Sequence, residues 1–441
     1  MKAEEKVNMI KEENALTFPP RVQHTPDNKP RTPVDPFGDF FTTYQNGSRG
    51  NGMLNERQKE RVSLVNKTKR DGHYVFQQAF GTIAGPLVKI DGFEYKLLST
   101  YDYLGLIGHK KIERSAIRAI REFGTSSGGV RLLTGTNDLH LRLEKELASF
   151  IGTEAAMTYS SGYHANLAVL SSVMTPNDIA LIDSKIHQST IDACKLAGVV
   201  YRRFEHNNAS SLEELLQRYQ NLSKRILIIS EGMFSMDGDI CNLNELIALK
   251  KKYGAFLMVD EAHSLGVLGE DGRGVASHFG KPASEVDIFT GSLSKGIPAS
   301  GGYVAASREI VIYLQHSSAP YIFSAALTPA ATASARTALK VLKKEPERHE
   351  RLRGNAEYLR TELQNCGFDT GLSTTAIIPV ILGDDEETLR FARRLFDHGI
   401  LATPVLFPAV PKGQSRLRLC ATAAQDRPFL EEVVQVFRKL R

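Results

Sequence analysis

The stretch ILIISEGMFSMDGDICNLNELIALKKKYGAFLMVDEAH, Ile226 to His263, opens on the apolar run ILIIS and ends just past a second one, FLMVD. Between the two runs, helical spacing is expected from about Asn244 to Tyr253. A strand, a helix and a second strand imply a parallel pair, because the chain must cross back before it can run alongside itself. The alternation continues on both sides. Upstream lie AAMTY (155–159), DIALID (178–183) and VVYRRF (199–204), followed by helices expected at about Tyr163–Val173, about His187–Ala197 and from about Ser211. Downstream, VDIFTG (286–291) and YVAAS (303–307) extend the set. Apolar strands spaced by such helices predict an α/β fold, with a mainly parallel sheet flanked by helices on both faces.

The flanks read differently. Residues 1 to about 55 carry Pro19, Pro20, Pro26, Pro30, Pro33 and Pro36, then Gly47, Gly50 and Gly52, with few aliphatic residues. Such a segment buries too little apolar surface to offset its chain entropy, so a disordered or surface-draped extension is expected. Leu54, Val62, Leu64 and Val65 suggest a short helix from about Glu56 to Gly72, and PLVKIDGFEYKLLST predicts a hairpin about Asp91-Gly92. ERSAIRAIREFG predicts a helix stopped by Gly124, with Ala116, Ile117 and Ile120 on its apolar face. After Pro329 a helical stretch rich in Ala, Arg and Lys leads to IIPVIL (377–382), RLRLCAT (416–422) and helices at Glu386–His398 and from Pro428. The expected organisation is an extension (1–55), a helix and hairpin segment (56–100), a large domain (101–330) and a smaller C-terminal α+β domain (331–441).

Composition narrows the function. With 441 residues, 42% hydrophobic and 24% charged, the chain reads as globular, and its +5 charge is spread without a dense basic block, which argues against nucleic acid as a partner. Cys194, Cys241, Cys366 and Cys420 lack CxxC spacing, so neither a metal site nor a disulfide framework is expected and a reducing compartment fits. No run approaches the length of a membrane span, and MKAEEKVNMIKEEN lacks the apolar core of a signal peptide. A cytoplasmic protein is the expectation.

Ligands of such sheets gather beyond the carboxyl ends of the strands. The residues there are Ser160, Ser161 and Gly162; Asp183 and His187; Glu231 and Ser235; Asp260 and His263; Ser292 and Lys295. SSGYHAN offers an anion the N–H groups of a helix start, although Ser-Ser-Gly is also an ordinary helix cap. Lys295, in TGSLSKGIPASGG after a strand, taken alone reads as a solvated loop lysine. In VDEAHSLGVLG, His263 follows Asp260 by three residues, a density of ionisable groups that a structural strand end does not need. One cofactor uses all of them. Pyridoxal phosphate wants a helix N-terminus for its phosphate, a carboxylate for its ring nitrogen and a lysine for its aldehyde.

From about residue 95 onward the chain resembles the α-oxoamine synthases, pyridoxal-phosphate acyltransferases that belong to the fold-type I transferases. The resemblance rests on YDYLGL, GVRLLTGTNDLHLRLE, SSGYHAN, EGMFSMDGDI, VDEAHSLGVLGEDGRG, SLSKG, FSAALTP and VPKGQSRLRL, in family order. It implies that Lys295 carries the cofactor and acts as base at the substrate Cα, that Asp260 holds the pyridine proton, that His263 bonds the ring hydroxyl and that His187 stacks on the ring. It further implies Ser161, Gly162, Tyr163 and Ser292 at the phosphate, joined by Ser324 from the second subunit of a homodimer with a shared active site. Ser235 would line the site, Tyr101 would touch substrate and Arg418 would bind the substrate carboxylate, with Arg416 expected to face away or share that role. The implied reaction is a decarboxylating condensation of glycine, alanine or serine with an acyl-CoA or acyl-carrier-protein thioester, giving an α-amino ketone, carbon dioxide and free thiol.

The pattern departs from the family at three places. Tyr101 stands where the ketobutyrate ligase and oxononanoate synthase patterns carry asparagine, and serine palmitoyltransferases look similar to this chain there. The loop GIPASGG is a residue shorter than in the ligase and carries Pro298, and Gln425 stands where many relatives have histidine. Two alternatives compete: an aminotransferase or decarboxylase using the same cofactor, and a non-catalytic partner subunit. Lys295, Asp260, His187 and His263 occurring together argue against the last.

Overall fold

The computed structural model describes residues 53–81 and 85–441. The expected extension therefore lies, up to residue 52, outside the described residues. Seven strands form the central sheet: β3 (Ala155–Tyr159), β4 (Ile179–Asp183), β5 (Val200–Phe204), β6 (Ile226–Glu231), β7 (Phe256–Asp260), β8 (Ile288–Ser292) and β9 (Gly302–Ala306). Their order is β3-β9-β8-β7-β6-β4-β5. The pairs from β5 across to β8 are parallel, and β9 runs antiparallel to both β3 and β8. The ends of these seven strands fall within two residues of the expected positions.

The period of two along each strand feeds two cores. In β6, Ile226 and Ile228 join the cluster that holds Leu257, Val259 and Phe289, while Leu227 and Ile229 join the one that holds Met258 and Ile288. Both faces are therefore apolar, as a sheet covered by helices on either side requires. The sheet order reverses at β4, which has β5 on one side and β6 on the other. At such a switch the connections part and leave a crevice at the carboxyl ends. Asp183, Glu231, Asp260 and Ser292 are the terminal residues of β4, β6, β7 and β8.

β1 (Leu87–Ile90) and β2 (Phe93–Leu97) form the expected hairpin. Asp91 and Gly92 both have positive φ, 49° and 85°, as the tight turn that matches strand twist demands. β2 then pairs in parallel with β11 (Ile400–Leu401), so the hairpin is fastened to the C-terminal part of the chain. There β10 (Ile377–Gly383), β12 (Thr403–Val405) and β13 (Ser415–Cys420) make an antiparallel sheet in the order β10-β13-β12. Helices Glu347–Asn365, Asp385–Asp397 and Arg427–Leu440 contribute Leu359, Leu363, Phe391, Leu395, Val433 and Phe437 to a separate core over it.

Two helices form as expected but expose apolar residues. Helix Lys110–Phe123 buries Ile112 and Ala119, leaving Ile117 and Ile120 43% and 40% exposed. The expected apolar face of Ala116, Ile117 and Ile120 is thus not the buried one, because the helix packs through another stripe, which includes Ala119, against helix Pro329–Lys344. Helix Glu56–Arg70 starts with a capping box between Asn55 and Gln58 and exposes Val62, Leu64 and Val65. Among the described residues no helix is long and apolar enough to cross a membrane.

Candidate active site

β3 ends in a turn, and Ser161 caps helix Gly162–Val173 by accepting from the His164 amide at 3.2 Å. The first amides of that helix have no partner within the helix and carry the positive end of its dipole. Steric fit explains the glycines here. A Cβ on Gly162 would stand 3.1 Å from the Gly291 oxygen and 3.2 Å from Ser292 Cβ, and one on Gly302 would collide with the Ser161 oxygen at 2.2 Å. The ends of β8 and β9 therefore press on the helix start, and Ser292 is brought to it. The Tyr163 phenol turns away to Asp192, leaving its amide at the cup. Ser324 was expected to arrive from a second subunit; its hydroxyl already lies 3.2 Å from that of Ser160 in the same chain.

Asp260, buried at the end of β7, stands in register with Glu231 on β6 and Thr290 on β8. Asn166 donates to its Oδ2 at 2.7 Å and to the Ser189 hydroxyl at 2.8 Å, while accepting from Thr290 at 2.7 Å. Ser189 in turn lies 2.7 Å from Nδ1 of His187, the capping residue of helix Gln188–Ala197. A single amide thus orients both Asp260 and His187. Sequence reading passed over Asn166, although a polar residue one turn into the SSGYHAN helix was a signal. Desolvation in the crevice lowers the exposed His187 imidazole, with Asp260 pulling up and Lys295 pushing down.

His263 Nδ1 lies 2.8 Å from the hydroxyl of Tyr103, a second residue missed in YDYLGL in favour of Tyr101. That hydroxyl accepts from Arg418 Nη2 at 3.2 Å, and burial keeps the phenol protonated. Tyr103 therefore donates its own proton to His263. Burial, reinforced by Lys295 and Arg418, holds His263 well below its ordinary range and so neutral. Its remaining proton sits on Nε2, free to be donated.

Lys295 follows β8, half-buried rather than solvated, with Nζ 5.8 Å above the Tyr101 ring. Burial lowers its pKa, against the pull of Asp260 and Glu231, which favours the free amine. Glu231, fully buried beside Asp260, is pushed well above the carboxylate range by its burial and by that neighbour. Arg418, 5% exposed, lies 4.9 Å over Tyr101 and donates Nε to the Ser235 carbonyl. Arg416 does not face away: residues two apart on a strand share a face, and its guanidinium goes to the Met236 carbonyl and Asp237, at 3.2 and 2.9 Å. Gln425 binds backbone, accepting from the Thr422 amide at 2.9 Å. Beside Lys295 opens a cleft of about 670 Å³ that Tyr101 and Pro298 help to line.

Residues 95–437 match the aminotransferase class I and II family. The chain is 39% identical over 376 residues to an 8-amino-7-oxononanoate synthase of Thermoanaerobacter pseudethanolicus, covering 85% of this chain and 95% of that one. It is 36% identical to a serine palmitoyltransferase of Bacteriovorax stolpii, covering 85% and 89%. A solved serine palmitoyltransferase from S. paucimobilis with PLP bound superposes at a TM-score of 0.85, with 31% identity, covering 88% of this chain and 98% of that one.

The chain is an α-oxoamine synthase of the aminotransferase class I and II family.

As an α-oxoamine synthase it is a pyridoxal-phosphate-dependent acyltransferase of fold type I. The donors present fit that cofactor. The capped helix start and Ser292 suit a phosphate, the anchored Asp260 carboxyl suits a pyridinium nitrogen, neutral His263 suits a ring oxygen, and Lys295 suits an aldehyde. In this α-oxoamine synthase the groups come from the ends of β3, β4, β6, β7 and β8, with Arg418 added from β13.

Proposed function

We propose that this enzyme condenses glycine, alanine or serine with an acyl-CoA or acyl-carrier-protein thioester, releasing carbon dioxide, free thiol and an α-amino ketone. The observation that carries the reading is Arg418, a buried guanidinium set over Tyr101 in the electrostatic neighbourhood of Lys295 and His263, with a cleft opening beside Lys295. Arg418 binds the amino acid's carboxylate by charge-assisted hydrogen bonds. Bound pyridoxal phosphate supplies an electron sink for charge developing at the substrate Cα. Lys295, its basicity lowered by burial, takes the Cα proton. With the cofactor bound, Asp260 would keep a proton on its ring nitrogen, His263 would donate Nε2–H to its ring oxygen, and His187 would support its ring. Ser161, Gly162, Tyr163, Ser292 and Ser324 hold the phosphate, while Ser235 supports Arg418 through its carbonyl.

We further place the cofactor in a domain of residues 101–330 and the carboxylate clamp in a smaller domain of 331–441. The active form is read as a cytoplasmic homodimer with a shared site, supported by free cysteines and by the exposed Ile117 and Ile120. Purified enzyme given each amino acid with a panel of acyl thioesters should release thiol and carbon dioxide together. Amino-group exchange with keto acids and no thiol would make it an aminotransferase. No product with any donor would leave the partner-subunit reading.

A further inference from the structure

The cleft beside Lys295 sets Phe80, Leu97, Ile107, Pro298 and Leu401, with small alanines, among serine and threonine hydroxyls. Several of its hydroxyls already serve the protein. Ser99 accepts from the Thr403 amide at 2.6 Å, Thr100 from that of Asp102 at 3.1 Å, and Thr328 from that of Ala331 at 3.3 Å. Among the described lining residues Lys295 is the one cation, and it is committed to the cofactor. The one carboxylate among them, Asp102, accepts from the amides of Leu106 and Ile107 at 2.7 and 3.1 Å and offers an incoming anion no positive charge.

We propose that this cleft receives the acyl chain of the thioester donor and selects an aliphatic chain that is uncharged at its far end. The proposal rests on the acyl-transfer reading above. An acyl chain ending in a carboxylate would be stripped of water with no cation to meet it and an acid nearby. A methyl end loses nothing on the same transfer and gains by leaving water. The preference therefore comes as much from rejecting the charged chain as from contacts with the neutral one. Pro298 and Tyr101, two of the positions where the sequence departs from its relatives, both help to line this cleft.

Binding of thioethers, which cannot transfer an acyl group, separates this proposal from the reaction itself. S-heptyl-CoA and a carboxylated analogue of equal length are titrated by calorimetry into the cofactor-loaded protein. S-heptyl-CoA should bind about tenfold tighter or more. Ala331→Lys, which puts an ammonium into the cleft, should narrow or reverse that preference. Equal or tighter binding of the carboxylated compound by the natural protein overturns the proposal, as does failure of both to bind. Tight binding of S-heptyl-CoA without thiol release from any acyl-CoA would sustain the cleft's selectivity and remove the acyl-transfer reading instead.

Discussion

Tyr103 joins Arg418, the proposed carboxylate clamp, to His263, the proposed partner of the cofactor ring, since its hydroxyl accepts from Arg418 and donates to His263. Tyr103→Phe keeps the ring but removes the partner of His263 Nδ1 and one of the partners of Arg418, a cost of about 1–3 kcal/mol. If both contacts tighten in the transition state, kcat/KM for the amino acid falls roughly tenfold to a hundredfold, read by steady-state kinetics. Asn166→Ala removes the donor that anchors Asp260 and, through Ser189, His187. Cofactor affinity should weaken by about tenfold or more, measured by titrating apoenzyme with pyridoxal phosphate. An unchanged affinity would mean that Asp260 holds its place without Asn166. Lys295, Asp260, His263 and His187 were legible as candidates in the sequence because each lies at or just after a strand end, whereas Arg418, inside β13, was named only through the family resemblance. Asn166 and Tyr103 were not legible, since their partners lie 94 and 160 residues away and only the folded sheet brings them together.

At the scale of elements, His206 beyond β5 clips the end of β4 to the loop carrying Ser235. Its Nδ1 lies 2.9 Å from Asp183 and its Nε2 2.7 Å from Asp239. Burial opposes the charge, but the two carboxylates raise the imidazole to about 9. A group raised on folding adds stability that is complete below its unfolded value, near 6.5, and is lost as pH climbs through the folded value. The clip should therefore weaken between about pH 6.5 and 9, by at most roughly 3 kcal/mol. Urea denaturation at pH 6 and pH 10 should show natural protein losing more stability than His206→Gln, and equal losses would remove the clip. The Gly302 approach is a second such constraint: Gly302→Ala must push the Ser161 peptide away and should cost about 1–3 kcal/mol together with phosphate affinity. Strands and helices were legible because burial on both sheet faces writes apolar runs into β4, β6 and β7. The stripe that helix Lys110–Phe123 buries was not, because several apolar residues compete and the neighbour that settles it, Pro329–Lys344, lies two hundred residues on.

At the scale of the whole molecule, the order of the sheet, the reversal of β9 and the pairing of β2 with β11 are set by contacts between distant segments, which local pattern does not encode. Yet one of its misreadings points outward. Ile117 and Ile120 form an apolar stripe that the described residues leave partly exposed, and Leu133 and Phe323 are 75% and 82% exposed. The bridge between Val130 and Ala325 holds the segments of those last two side by side. Exposed large apolar side chains on adjacent segments, as at Leu133 and Phe323, mark an association surface. A second copy of the chain is the simplest partner, because a self-complementary patch closes on itself under twofold symmetry. Sedimentation at micromolar concentration should give a dimer. Ile117→Glu combined with Ile120→Glu should shift it to monomer without loss of helix content and reduce turnover by roughly tenfold or more, since charge replaces apolar contact at the join. Because Ser324 already meets Ser160 within one chain, such a monomer also tests where the serine acts. Full retention of cofactor affinity would assign it to its own subunit, and a fall would assign it to the partner. A natural protein that sediments as a monomer and turns over at full rate would end the dimer reading.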